Sequence, residues 1–284
     1  MYNGSIMENE MVEVVLITNA GEGFGRTVAL TFAELNYDVV CADKDVELAA
    51  KTAAEIEELG GNAIPIQADM SSSKDARLAF DKVFEIFGSL NGVIHLATHE
   101  SNAALRDLTE TEFAELINED VKSTFLVLKN SAKLLDRAWL VLIGPPKSAN
   151  LPHMFGMRGA ITRMAAAFES RYEDLRVNVI IPSRSASDPE HDAHLADTVS
   201  YLASPYAEGV SGQRLNIDLP KPPNIEEKLL PEVRAALNEN FLGDEFNDYE
   251  DEIFLEEELD VSFDELEEKL DNDLELDFEE LSNV

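Results

Sequence analysis

Basic residues, cysteine and long apolar runs are all scarce in this sequence. Only 22 lysines and arginines stand against 57 aspartates and glutamates, for a formal charge of −35. A field of that sign repels nucleic acid and anionic membranes, so we expect binding to neither. No apolar run reaches the length of a membrane span and no signal-peptide pattern is visible, so we expect a cytoplasmic location. Cys41 is the single cysteine, which excludes a disulfide within one chain and indicates a small buried hydrophobe.

The acidic excess is concentrated near the C-terminus. Residues 224–284 hold 24 acidic and three basic side chains, net −21, which leaves −14 of the total of −35 for residues 1–223. Adaptation to high salt is the alternative explanation, but it should spread carboxylates over the whole surface, so this distribution disfavours it. We predict a short N-terminal extension (1–10), one globular domain (11–220) and an acidic tail (221–284) that begins at Lys221-Pro222-Pro223.

A glycine-rich turn follows the first apolar run. Val14 to Ile17 is unbroken, as in a strand buried on both faces, and Gly21, Gly23 and Gly25 follow at once. Glycine lets the backbone bend sharply and approach a pyrophosphate, and the N–H groups of a helix that begins near Gly23 attract negative charge. The pattern predicts a nucleotide-binding turn.

Strand and helix patterns alternate regularly after this turn. A second strand ends at Asp43, about twenty residues beyond the turn, where a carboxylate can accept hydrogen bonds from an adenosine ribose and would repel the extra phosphate of NADP. A third strand closes on Asp69. The alternation predicts an α/β fold, a Rossmann-like doubly wound parallel sheet of about seven strands. Predicted helices include 109–135, 153–172 and 193–203.

In combination, these segments make residues 11–219 resemble a classical short-chain dehydrogenase/reductase. Thr18 to Gly25 stands for the family's T-G-x-x-x-G-x-G motif, with Asn19 at its first glycine, and Gly209 to Asp218 matches the family's last strand. The resemblance implies that a nicotinamide cofactor, where one binds, is NAD rather than NADP, and the residues themselves indicate no metal site. The cofactor-binding residues it implies are Thr18, Asn19, Gly21, Gly23, Phe24, Gly25, Asp43, Asp69, Met70 and Ala97.

The catalytic half departs from the family's pattern. Met154 stands at the tyrosine position, Arg158 at the lysine position, Pro145 near the serine position and Asp120 at the asparagine position. A thioether cannot exchange a proton during hydride transfer. We therefore predict a catalytically degenerate member of the family with no catalytic residue of the usual kind, and His153, beside the lost tyrosine, is a possible substitute.

Two other groups of histidines are candidates for chemistry. His95 and His99 lie near the expected cleft, and for His95 we favour a packing or capping role at a strand end. His191 and His194 stand among Asp188, Glu190 and Asp192, where we favour a solvated polar turn over a metal site.

The acidic tail alternates carboxylates with large apolar residues. Ser262 and Glu265 form a capping box that places Phe263, Leu266 and Leu270 on one helical stripe. We predict a tail that is partly helical or disordered in isolation and that binds a protein partner through residues 224–284. The resemblance also implies a homodimer or homotetramer packed through helices 109–135 and 153–172.

These features leave three functional hypotheses. The first is a non-catalytic scaffold or NAD-sensing protein that binds its partner through the tail. The second is an active NAD-dependent oxidoreductase with a non-standard active site that uses His153 or Asp120. The third is an acidic decoy that blocks a nucleic-acid-binding surface on another protein.

Overall fold

The computed structural model of the protein describes residues 12–184 and 189–217. The predicted N-terminal extension, the acidic tail and its capping box lie outside the described residues, so the predictions made for them stay predictions. The described strands are β1 (Val14–Thr18), β2 (Asp38–Asp43), β3 (Asn62–Gln67), β4 (Gly92–Leu96), β5 (Ala138–Ile143), β6 (Leu175–Pro182) and β7 (Arg214–Ile217).

All seven strands form one parallel sheet in the order β3-β2-β1-β4-β5-β6-β7. The order reverses between β1 and β4, and in open parallel sheets ligands bind beyond the carboxyl ends of the strands at such a reversal. The predicted doubly wound α/β fold is therefore confirmed. Its central strands β1, β4 and β5 are buried along their whole length.

Helices cover both faces of the sheet. The helices are α1 (Gly23–Glu34), α2 (Val46–Glu58), α3 (Ser73–Phe87), α4 (Glu110–Leu116), α5 (Ser123–Leu134), α6 (Pro152–Glu169) and α7 (Pro189–Ala203). Helices α1, α2 and α7 pack on one face, and α3, α5 and α6 pack on the other. Each face buries its own apolar cluster, as expected where helices lie on both sides of a parallel sheet.

Side-chain caps fix the starts of three helices. Ser72 Oγ accepts from the backbone N–H of Asp75 at the start of α3, and Thr109 with Glu112 forms a reciprocal capping box at α4. Asp45 caps α2. A π-helical turn, Ile117–Lys122, joins α4 to α5, so the helix predicted over 109–135 is present in three segments.

The solvated polar turn predicted around His191 and His194 is wrong. Helix α7 begins at Pro189 rather than near Ala193, and within it His191 is 2 % exposed and Asp192 8 % exposed. Proline suits the first turn of a helix, and positions 191 and 195 share a helix face, so His191 is buried on the same side as Leu195. Asp188 and the side chain of Glu190 lie outside the described residues.

None of the helices that the structure describes is long and apolar enough to cross a membrane.

Cys41 is fully buried in β2, and burial raises the pKa of its thiol to about 12. Its predicted role as a buried hydrophobe is therefore confirmed.

Candidate functional site

The turn between β1 and α1 has the backbone shape that close approach to a ligand requires. Asn19 and Gly23 have φ of 52° and 53°, in the left-handed region. Asparagine tolerates that region better than most residues, so Asn19 keeps a bend at a position where the family has glycine. Its side-chain nitrogen also donates to the carbonyl of Leu96 at 2.9 Å, which ties the turn to the end of β4.

Gly25 and Gly23 have opposite surroundings. A Cβ on Gly25 would lie 1.9 Å from the carbonyl oxygen of Asn19, so only glycine lets α1 begin this close to the end of β1. A Cβ on Gly23 would meet nothing within 4 Å, so the space above the turn is open. Open space at a helix N-terminus with free N–H groups suits an anionic group such as a pyrophosphate.

Asp43 lies beside this turn at the end of β2. Its Oδ2 accepts from the backbone N–H of Gly21 at 2.9 Å, and its Oδ1 accepts from the backbone N–H of Asp45 at 3.0 Å. These two bonds orient the carboxylate and leave lone pairs on both oxygens, because each carboxylate oxygen can accept more than one hydrogen bond. The glycine turn and Asp43 therefore fit the pyrophosphate and adenosine ribose of NAD.

A charged cluster borders the ends of β2 and β3. Lys44 pairs with Glu119 across the cleft and lies 3.5 Å from Asp69. Asp69 Oδ1 accepts from the backbone N–H and the hydroxyl of Ser71. Partial burial acts to raise the pKa of Asp69, but the Ser71 hydrogen bonds and Lys44 outweigh it and hold that pKa below its ordinary value. The sequence pattern predicts a role for Asp69 but not its contacts with Lys44 and Ser71.

The opposite end of the cleft differs from the glycine turn. A cavity of about 150 Å³ lies at the carboxyl ends of β4, β5 and β6, lined by Phe24, Thr98, Ile143, Pro146, Pro182 and Arg184 among others. Ligand pockets are usually larger, roughly 300–1,000 Å³. Among the described residues, the cavity at the carboxyl ends of β4, β5 and β6 is therefore smaller than the pockets that usually enclose ligands.

Met154 and Arg158 serve the protein's own structure. Met154 is fully buried in a small apolar cluster with Leu116, Ala149 and Met157. The Arg158 guanidinium donates to the carbonyl oxygens of Pro146 and Ala149 at 2.7 and 3.0 Å. It also lies 4.6 Å from the ring centroid of Phe155. In the family, a lysine at the position of Arg158 holds the nicotinamide ribose of the cofactor. The Arg158 guanidinium is bound to backbone carbonyls instead, so the residues at this end of the cleft do not fit that part of the cofactor.

His95 forms a buried polar network. Its Nδ1 lies 2.9 Å from Thr18 Oγ1 and its Nε2 lies 3.0 Å from Ser123 Oγ. Thr18 Oγ1 in turn accepts from the backbone N–H of Leu96. Burial, with a smaller contribution from His99, lowers the pKa of His95 to about 3, so the ring stays neutral and links β1, β4 and α5. The packing role expected for His95 is confirmed.

His99 and Asp120 form the one pair near the cleft with the geometry of an acid–base dyad among the described residues. His99 Nδ1 lies 2.9 Å from Asp120 Oδ1, and the backbone N–H of His99 donates to the same oxygen. The Asp120 side chain is fully buried, while that of His99 is 42 % exposed. The hydrogen bond to Asp120 raises the pKa of His99, and burial raises the pKa of Asp120. The sequence identified both residues but not their pairing.

The remaining catalytic candidates are dispersed. His153 is buried, and neither ring nitrogen has a hydrogen-bond partner among the described residues. Pro145, near the family's serine position, is buried. In the described part of the chain, no three histidine, cysteine or carboxylate side chains are grouped as metal ligands would be. The predicted cofactor-binding residues lie at or just beyond the carboxyl ends of β1 to β4.

The strand order and the glycine turn define a doubly wound α/β protein of the Rossmann-like class. Residues 13–139 match the sequence profile of the short chain dehydrogenase family. A short-chain dehydrogenase/reductase of Pestalotiopsis microspora is 25 % identical in an alignment of 251 positions that covers 72 % of this chain and 94 % of the relative. A 3-oxoacyl-(acyl-carrier-protein) reductase of Staphylococcus aureus is 25 % identical in an alignment of 242 positions that covers 74 % of this chain and 98 % of the relative.

A solved structure has the same fold. The 7α-hydroxysteroid dehydrogenase complexed with NADH and 7-oxo glycochenodeoxycholic acid superposes with a TM-score of 0.66 at 22 % identity, over 72 % of this chain and 92 % of that protein. The profile match over residues 13–139, these relatives and the shared fold make this chain similar to short-chain dehydrogenases/reductases.

Proposed function

We propose that this protein is a cytoplasmic NAD-sensing or scaffold member of the family that does not catalyse the family's hydride transfer. The observation that carries the proposal is the Arg158 guanidinium, which is bound to the carbonyls of Pro146 and Ala149 beside a buried Met154. No phenol and ammonium pair stands at these two positions to exchange a proton with a substrate.

NAD or NADH is the ligand we propose for the glycine turn. The backbone N–H groups of Gly21 and Asp45 orient the Asp43 carboxylate, which can accept hydrogen bonds from the hydroxyls of the adenosine ribose. The negative charge of Asp43 disfavours the 2′-phosphate of NADP. We expect NADH to bind at least about tenfold more tightly than NADPH, a difference of about 1.4 kcal/mol.

A fluorescence titration of the purified protein tests cofactor binding. NADH emission should rise on binding, and Asp43→Ser should reduce the preference over NADPH, whereas the exposed carboxylate variant Asp81→Ser should keep it. If neither nucleotide binds, the NAD-sensing function is excluded.

Activity assays test the non-catalytic part of the proposal. With NADH and a panel of carbonyl compounds, or NAD and a panel of alcohols, we expect no turnover above the buffer rate. Steady turnover above the buffer rate would contradict the proposal, and its loss in a folded Arg158→Ala variant would assign the activity to this site.

A protein partner that binds residues 224–284 completes the proposal. Its support is the alternation of carboxylates with large apolar residues, which suits folding onto a basic and apolar surface. Capture from a lysate with the full chain should lose partners when Phe263, Leu266 and Leu270 are all changed to serine. Identical partner sets would contradict a role for this stripe.

A second candidate, an active oxidoreductase with non-standard residues, is favoured by the His99–Asp120 dyad. A histidine held by a buried carboxylate can act as a general acid or base. In that case turnover would follow the titration of His99, and His99→Gln would abolish it while NADH binding persists. Turnover unaffected by His99→Gln would exclude this dyad as the acid–base pair.

A further inference from the structure

Lys44 directly follows Asp43, the carboxylate proposed above as the ribose ligand. In dinucleotide-binding folds a carboxylate at this place selects NAD, and an arginine nearby accommodates the 2′-phosphate of NADP. A lysine ammonium also binds phosphate, as a point charge. Two consecutive residues therefore favour opposite cofactors, and the position of the Lys44 ammonium decides between them.

Two carboxylates hold the Lys44 ammonium. Lys44 Nζ donates to Glu119 Oε1 and lies 3.5 Å from Asp69 Oδ1. Partial burial acts to lower the pKa of Lys44, but the hydrogen bonds and charges of Glu119 and Asp69 outweigh it and raise that pKa. The ammonium therefore stays charged at neutral pH and is shared between the two carboxylates.

The groups around the ammonium are themselves fixed. Asp69 Oδ1 accepts from the backbone N–H and the hydroxyl of Ser71, and Glu119 is part of the π-helical turn between α4 and α5. The backbone of Lys44 is tied to β3, since its carbonyl accepts from Gln67 Nε2 at 3.2 Å. These contacts hold the ammonium at the border of the cleft without the help of a ligand.

A cavity of about 570 Å³ adjoins the Lys44–Glu119 pair. Four glutamates line it, among them Glu115 and Glu119, and Lys44 is the one lysine or arginine among the described residues that do. A phosphate group in this space would meet four carboxylates and a single cation that is already paired. The local charge therefore disfavours a phosphate as long as the pair is intact.

We propose that Glu119 is a specificity-determining residue of the nucleotide site, because its ion pair keeps Lys44 from a 2′-phosphate and leaves Asp43 to select NAD. Glu119 acts through Lys44, so it is a positioning residue and not a ligand of the nucleotide. With Glu119 uncharged, Lys44 would keep only its longer contact with Asp69, and a doubly charged phosphate group would compete for the ammonium. This inference rests on the proposed binding of NAD at the glycine turn.

Titrations of the purified full chain with NADH and with NADPH, each followed by the fluorescence of the nucleotide, test the proposal. Glu119→Gln should tighten NADPH binding by about fivefold or more and change NADH binding by less than about twofold. The matched control is Glu115→Gln, which removes the same charge from an exposed residue of the same cavity but leaves the Lys44–Glu119 pair in place. It should change the ratio of the two dissociation constants by less than about twofold.

A double-mutant cycle separates the positioning of Lys44 from a general loss of negative charge. If Glu119 acts through Lys44, Glu119→Gln should tighten NADPH binding in the unmodified chain but not in the Lys44→Met chain. Equal effects in both backgrounds, or equal effects of Glu119→Gln and Glu115→Gln, would overturn the inference and leave the proposed NAD binding intact. If the unmodified chain binds neither nucleotide, the inference and the proposed NAD-sensing function both fail.

Discussion

The guanidinium of Arg158 holds the loop between β5 and α6 through the carbonyls of Pro146 and Ala149, both on buried residues. Arg158→Ala removes a charged donor from these acceptors, and we expect a loss of about 2 kcal/mol in the free energy of unfolding. Urea unfolding measures it. Arg163→Ala, at an exposed position of the same helix, should change that free energy by less than about 0.5 kcal/mol. Equal effects would contradict the structural role of Arg158.

His95 makes the stability depend on pH. Its pKa is about 3 in the folded protein against 6.5 when unperturbed, chiefly through burial. Between pH 3 and pH 6.5, the His95 side chain binds a proton only in the unfolded chain. The contribution of His95 to the free energy of unfolding is therefore complete above pH 6.5 and is lost as the pH falls towards 3. From pH 8 to pH 5 the loss is about 2 kcal/mol.

Chemical denaturation at several pH values, compared with His95→Asn, tests this dependence. The variant should be less stable at pH 8, but its stability should fall less between pH 8 and pH 5. His99 acts in the opposite direction in both proteins, because its raised pKa favours the folded state at low pH, so only the difference between them is diagnostic. Equal slopes would refute a neutral buried His95.

Residues whose role is local could be predicted from the sequence, and residues paired over long distances could not. The glycines of the turn, Asp43 at a strand end and the Thr109–Glu112 box all depend on neighbours within a few residues or on a fixed spacing. The Lys44–Glu119 pair joins positions 75 residues apart, and no pattern in one sequence specifies it. A buried aspartate needs a hydrogen-bond donor, and this requirement was the only indication in the sequence that Asp120 would pair with a residue such as His99.

The helix predicted over 109–135 contains a π-helical turn at Ile117–Lys122, and hydroxyl side chains just after it bond to two of its backbone carbonyls. Ser123 Oγ donates to the carbonyl of Glu119 and Thr124 Oγ1 to that of Asp120. Hydroxyls that bond back to the preceding turn bend helices, and π turns are frequent at functional sites. Periodicity predicts the helix correctly but does not resolve one extra residue in a turn, so this local change was missed.

The capping box at α4 supports a prediction at the level of one helix. Thr109 Oγ1 accepts from the backbone N–H of Glu112, and the Glu112 carboxylate accepts from the backbone N–H of Thr109. Thr109→Ala should lower the free energy of unfolding by about 1 kcal/mol. Thr111→Ala, at an exposed position inside the helix, should leave it unchanged or raise it slightly, because alanine is the better helix former. Urea unfolding distinguishes the two, and a larger effect at Thr111 would contradict the cap.

The whole molecule carries its charge unevenly, and even residues 1–223 have a net charge of −14 out of −35. Composition predicted this imbalance but not that Lys129, Lys133 and Arg171 line one groove between α5 and α6, because that grouping requires two helices to pack side by side. Self-repulsion in a compact chain with this excess opposes folding, and salt screens it. Exposed ion pairs such as Arg77–Asp81 are weakened by salt, but each contributes little.

We therefore expect added salt to stabilise the protein. The midpoint of urea unfolding should rise between about 0.02 and 0.3 M sodium chloride, because screening the excess of carboxylates outweighs the loss of surface ion pairs. Glu57 and Glu58 are exposed at the C-terminal end of α2, where negative charge also opposes the helix dipole. The double variant Glu57→Gln and Glu58→Gln should be more stable at low salt and respond less to salt. A midpoint that falls with salt would show that attractive ion pairs, and not repulsion, dominate the surface.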